Sequence, residues 1–178
     1  SRQPRPQTGS PAGDRRLLLV GGLIAGGVLF SAASLQQVGL LYTTAAKAGF
    51  ITGLYIILVP VIGLALRHKT GANTWVGALI AMAGLYYLSV TEEFTIGYGD
   101  LLQVIGALFW AVHLLVLDHY SNRVAPIRLA GVQFVVCGLL SLGTAFVIET
   151  PTLGGAVAGW QALLYAGLVS VGIGYTLQ

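Results

Sequence analysis

Four residues in the middle of the chain share one side of an apolar run. In GDLLQVIGALFWAVHLLVLDHY (99–120), Gln103, Gly106, Trp110 and His113 stand at offsets of 0, +3, +7 and +10. That spacing stacks side chains on one helical face. An amide, a gap, an indole and an imidazole in one stripe suit a wet cavity better than lipid. The chemistry on offer is hydrogen bonding and one ring that titrates, unperturbed, at about 6.5. Three roles stay open for His113: a neutral ring bonded to a neighbouring helix, a cavity wall, or a proton-linked switch. The run 127–148 repeats the pattern more weakly with Gln133, Cys137, Ser141 and Thr144. Hydroxyls can bond back to their own helix, so helix packing is the favoured role there.

A second group surrounds YTTAAKAGFITGLYIILVP (42–60). Lys47 is a lone cation in this apolar stretch, and it has two readings. Its stem can snorkel to the headgroups, or its ammonium can turn inward to the mouth of a cavity and attract an anionic group. Gln36 and Gln37 precede it across a short link. Adjacent helical positions point about 100° apart, so at most one of the two faces a common cavity. Pro60 frees the carbonyl of Ile56 and is expected to kink its helix, with Thr52 and Tyr55 just before the kink.

These residues do not assemble an enzyme. There is no H-E-x-x-H, no G-x-S-x-G and no membrane-embedded pair of carboxylates, so metalloprotease and serine-hydrolase chemistry have no footing. Asp118 and His119 adjoin at a helix end, where a solvated pair is expected. GGLIAGG (21–27) lacks the Lys-Ser/Thr ending of a phosphate loop. No cofactor, no metal and no nucleic-acid partner is expected. Cys137 is the single cysteine, which rules out an internal disulfide.

The elements that position these groups follow from composition. Of 178 residues, 56% are hydrophobic and 8% charged, and the mean hydropathy is +0.82. A soluble domain carries about 25% charged residues. Such a chain is an all-α, polytopic transmembrane helix bundle. Residues 1–16, rich in Pro, Arg and Ser, read as a loop or tail. Six spanning segments follow at 17–40, 44–66, 73–90, 101–118, 127–148 and 159–178. In lipid the backbone must satisfy itself, which makes them helices, and the alternation of a membrane barrel is absent.

Charge then gives the sides. Spans alternate in direction, so the tail and the loops after Leu66 and Asp118 share a side. They hold Arg2, Arg5, Arg15, Arg16, Arg67, Lys69, Arg123 and Arg128. The other side holds only Lys47, with Glu92, Glu93 and Asp100 in the loop 91–100 and Glu149 beyond. Eight basic residues against one place residues 1–16 in the cytoplasm. Glycines at Gly22/Gly26, Gly49/Gly53, Gly77/Gly84 and Gly131/Gly138 are expected to let helix backbones approach closely.

The run LQQVGLLYTTAAKAGFITGLYIILVPVIGLAL (35–66) closely resembles the central portion of EamA-type transporters of the drug/metabolite transporter superfamily. The block 99–134, with its G-A-L-F-W-A-x-H core, resembles the next characteristic stretch, and VSVGIGYTLQ (169–178) is suggestive of the same. The resemblance implies ten helices in two inverted five-helix repeats, of which this chain is an internal fragment holding helices three to eight. Residues 17–90 would end the first repeat and 101–178 begin the second. It implies a secondary transporter exporting amino acids, drugs or related metabolites by alternating access, in a bacterial inner membrane, with a small-molecule substrate and the bilayer as partners and a homodimer admitted. The expected cavity residues are Gln36, Lys47, Thr52, Tyr55, Trp110 and His113. A non-transporting integral membrane protein is the alternative, and a channel ranks last because no filter-like loop is visible.

Overall fold

A computed structural model describes residues 11–66, 71–89, 97–148, 153–165 and 167–168. All elements among them are helices: α1 (Pro11–Leu40), α2 (Ala45–Gly53), α3 (Tyr55–Ala65), α4 (Ala72–Ser89), α5 (Tyr98–Ser121), α6 (Pro126–Ile148), α7 (Leu153–Ala158) and α8 (Trp160–Leu164). Four stretches are long and apolar enough to cross a bilayer: Asp14–Leu40, Ala45–Ala65, Tyr98–Ser121 and Pro126–Ile148. Ala72–Gly84 is a shorter apolar helix. The chain is an integral membrane helix bundle. Of the sixth expected span (159–178), most lies outside the described residues.

Four boundaries differ from the sequence expectation, one of them at α7 (Leu153–Ala158), which is helix within the expected loop 149–158. Residues 11–16 do not belong to a loop, because α1 already begins at Pro11. Proline suits a first helical turn, where its missing N–H costs nothing, and Asp14 in that turn complements the helix dipole. The span 44–66 is two helices rather than one kinked at Pro60. The break falls at Leu54, whose N–H reaches back three residues to Ile51 O at 3.1 Å. Gly53, a poor helix former, directly precedes it, while Pro60 sits buried inside α3. Finally, Tyr98–Asp100 is not loop but the first turn of α5.

α1 is the central helix and packs against both α5 and α6. A methyl group built on Gly22 would lie 2.3 Å from Val132, and one on Gly26 would lie 2.6 Å from Val136. At the other end, one on Gly99 would lie 2.7 Å from the Gly39 carbonyl oxygen. Ala25, Ala32, Ala107 and Ala111 are fully buried between these approaches. Such small residues let backbones meet where lipid supplies no hydrophobic drive. α1 therefore runs antiparallel to α5 and parallel to α6. The other glycine pairs behave differently: Gly49, Gly77, Gly84, Gly131 and Gly138 face open space, so the expected close approach does not occur at them in this chain.

Candidate functional site

The link after α1, the start of α2 and the start of α5 meet at one end of the bundle. Asp100 is buried there. Its carboxylate accepts hydrogen bonds from the Thr43 hydroxyl and from the Gly97 N–H at 2.9 Å. Lys47 Nζ lies 3.9 Å from the same carboxylate. Lys47 is part-exposed at this end of the bundle, and its ammonium faces a buried acid. The sequence places this acid in the loop 91–100, because three residues of α5 precede the apolar run. The spacing of Gly97 and Asp100 is the signal that was available, since an acid at the third helical position can cap the turn before it.

One helical turn deeper, three helices exchange polar groups. Gln36 is half-buried near the end of α1, while its neighbour Gln37 is exposed, as adjacent positions require. Gln103 on α5 is fully buried and its Nε2 donates to the Gln36 backbone oxygen at 2.9 Å. The Thr52 hydroxyl donates to Gln103 Oε1 at 3.3 Å and accepts from Gln36 Nε2 at 3.4 Å. The Trp110 indole N–H donates to Gln36 Oε1 at 3.2 Å. Gln36, Thr52 and Gln103 so form a closed ring with Trp110 attached, and the amide groups are neutral donors and acceptors in matched pairs. In apolar surroundings an unpaired amide is costly, so the ring fixes how α1, α2 and α5 meet.

The stripe on α5 is therefore real but divided. Gln103 and Gly106 press against α1, where a methyl on Gly106 would stand 3.6 Å from the Ala32 oxygen. Trp110 meets the ring, and its indole packs edge-on against the His113 ring, with centroids 5.9 Å apart. His113 itself is 1% exposed and its Nε2 lies 2.9 Å from Gln133 Oε1 on α6. Beside that pair a cavity of 270 Å³ opens between α5 and α6, lined by Leu114, Leu117, Asp118, Leu129 and Gln133 among others.

Of the six expected cavity residues, the structure brings Gln36, Thr52 and Trp110 together and sets His113 against Trp110. Lys47 sits apart with Asp100, and Tyr55, half-buried, lies just past the Leu54 break without a hydrogen bond to the ring. Gln103 was visible in the stripe, yet it is the joint of the ring rather than a bystander. The sequence gives Gln133 a packing role. In its stripe only it is fully buried, while Thr144 bonds back to the Leu140 carbonyl at 2.9 Å. Spacing alone could not separate the two. Among the described residues no three His, Cys, Asp or Glu side chains converge as metal ligands would.

Residues 97–178 match the EamA-like transporter family. The chain is also 37% identical over 124 residues to an uncharacterized transporter of Archaeoglobus fulgidus, an alignment covering 69% of this chain and 39% of that relative. The chain thus spans well under half of the relative's length. No solved structure is a significant match. The two matches bear out the EamA-type resemblance read from the sequence.

Proposed function

We propose that this chain forms part of a secondary transporter that exports small metabolites by alternating access across a bacterial inner membrane. The observation that carries the reading is the polar ring of Gln36, Thr52 and Gln103 with Trp110, set inside helices of membrane-spanning length and continued along α5 to His113 and the α5–α6 cavity. Intramembrane polar groups are expensive and mark transport pathways by default. Substrate would be held at the inner edge of this stripe, with Trp110 as an apolar wall carrying a polar edge, and the helices around α1 would rock about the anchored ring. Lys47 and Asp100 would close the opposite end, and residues 1–16 would face the cytoplasm.

The full-length protein reconstituted in liposomes tests this. Flux of a responsive small organic solute should fall strongly in His113→Ala while membrane insertion stays intact. Unchanged flux and unchanged pH dependence would remove His113 from the pathway.

One feature supports a second reading, a non-transporting helix bundle: the ring is closed on itself, so its groups have partners without any substrate. Gln103→Leu separates the two. A structural ring should lose stability and leave flux per folded molecule unchanged, whereas a transport ring should lose both.

A further inference from the structure

Gln133 is a buried amide with half of its hydrogen-bonding capacity unspent. It is 1% exposed and turns Oε1 to His113 Nε2 at 2.9 Å. An amide oxygen only accepts, whereas the amide nitrogen carries two N–H donors. With Oε1 committed to the ring, Nε2 points elsewhere. Among the described residues no acceptor meets it. Nor is it sealed off, since the one fully occluded side-chain atom without a partner among those residues is His113 Nδ1. Gln133 lines the 270 Å³ cavity between α5 and α6, and its free donors open there.

The rest of the lining selects what can meet those donors. Leu114, Leu117 and Leu129 form apolar walls. Ser121 also borders the space, but its hydroxyl donates to the Asp118 backbone oxygen at 3.4 Å. Because α5 and α6 run antiparallel, Gln133 stands at the Leu114 end of the cavity, and Asp118 and Ser121 stand toward the loop. An amide N–H facing apolar walls without a partner is costly, and an oxygen on a guest would relieve it. A carboxylate would accept as well. It would find no cation in the lining, where the one charged side chain is Asp118, and an unpaired anion in apolar surroundings is far costlier than a neutral group. The complementary guest is small and apolar, with an uncharged carbonyl oxygen at one end.

We propose that the α5–α6 cavity is a binding site for small, uncharged carbonyl compounds such as ketones and esters, whose oxygen accepts from Gln133 Nε2. Naming such a guest a substrate rests on the transport reading; the binding site rests on the geometry alone. The ester groups of bilayer lipid offer the same oxygen, and the experiment tells the two sources apart.

The test places the full-length protein in nanodiscs of ether-linked lipid, which holds no carbonyl groups, with ¹⁵N-labelled glutamine and histidine, near about pH 8 so that an ordinary imidazole is neutral. The Gln133 amide signal is identified by its loss in Gln133→Asn. Benzylacetone, a ketone on an apolar body, should shift that signal in a saturable way. Butylbenzene, a like body without oxygen, should not. Hydrocinnamate, with a carboxylate where the ketone stood, should bind more than about tenfold more weakly. Gln133→Leu should weaken benzylacetone about fivefold, the worth of one hydrogen bond, read by titration on the ketone's own signals. No saturable shift with benzylacetone, an equal shift with butylbenzene, or hydrocinnamate bound as well as the ketone overturns the proposal, and all three are read on the wild-type protein even if Gln133→Leu fails to fold. A His113 ring with its hydrogen on Nδ1 alone also overturns it, since Gln133 would then turn its nitrogen to the ring and its oxygen to the cavity. In nanodiscs of ester-linked lipid without ketone, an unshifted amide supports a solute as guest, while the same shift makes the lipid ester the guest and overturns the solute assignment. Flux separates the two levels. Loss of flux in His113→Ala beside an amide that ignores benzylacetone sinks this inference alone, while a responsive amide in a protein that moves no solute keeps the binding site and sinks the transport reading.

Discussion

The two halves of α5 are built on opposite plans. Its N-terminal half is tied to α1 and α2 by the Asp100 cluster and the Gln103 ring, with backbones in contact at Gly39 and Gly99. Its C-terminal half also lies against α1, where a methyl group on Gly21 would stand 2.6 Å from Tyr120, but it meets α6 through one side-chain bond, His113 to Gln133, beside a cavity, with an acceptor left open. Both halves are equally apolar in sequence, so hydrophobicity does not distinguish them. What differs is whether the polar groups find partners within the chain. A saturated end resists opening, since each broken bond strands a group in hydrocarbon. An unsaturated end has little to lose and something to gain from a ligand.

The contrast is broken most severely at its tight end. Gly99→Leu should destabilise by about 3 kcal/mol, because the new side chain meets backbone, which cannot turn aside as a side chain can. Thermal unfolding in detergent checks this, and a melting point equal to wild type would mean that α1 and α5 do not touch there. Gln103→Leu should cost about 1–2 kcal/mol by stranding the Thr52 hydroxyl and freeing the Gln36 carbonyl. A double-mutant cycle with Thr52→Val should show coupling, and strict additivity would dissolve the ring.

At the loose end the same measurement should give less. His113→Gln keeps a donor toward Gln133 Oε1 and removes the orphaned acceptor, so the loss should stay within about 1 kcal/mol. A loss as large as that of Gln103→Leu would erase the difference between the halves. Lys47→Gln should be mildest, under about 1 kcal/mol, because Lys47 is part-exposed and its contact with Asp100 is long. Added salt should shrink even that effect. Asp100→Ala should exceed it, since Thr43 and Gly97 lose their acceptor too. If Lys47→Gln proves the worse of the two, the lysine does more than neutralise Asp100.

Much of this was legible in the residues. The class of protein, the helical spans and the stripe of Gln103, Gly106, Trp110 and His113 follow from composition and a period of 3.6, because lipid leaves a backbone few alternatives. The family resemblance at 99–134 was also legible, and the match over 97–178 bears it out. The element ends were less so. Pro11–Arg16 looked like tail because it lacks apolar residues, yet a helix can extend past the bilayer into water. The Leu54 break replaces the expected Pro60 kink, since a proline's missing N–H can be absorbed within a helix while a glycine about two turns away yields.

Periodicity names a face but not its neighbour. Sequence by itself determined that Gln36, Lys47, Thr52, Trp110 and His113 lie among membrane helices and that a polar stripe needs an occupant. Only the tertiary structure decided that the occupant of Gln103 is α1 and α2, that Lys47 answers Asp100, and that Gln133 answers just one side of His113. The reason is distance along the chain: Gln36 and Trp110 are 74 residues apart, and His113 and Gln133 are 20. Hydrogen bonds across such separations are set by how α1 lies between α5 and α6, which is fixed by Gly22, Gly26, Gly39 and Gly99, where only a hydrogen fits.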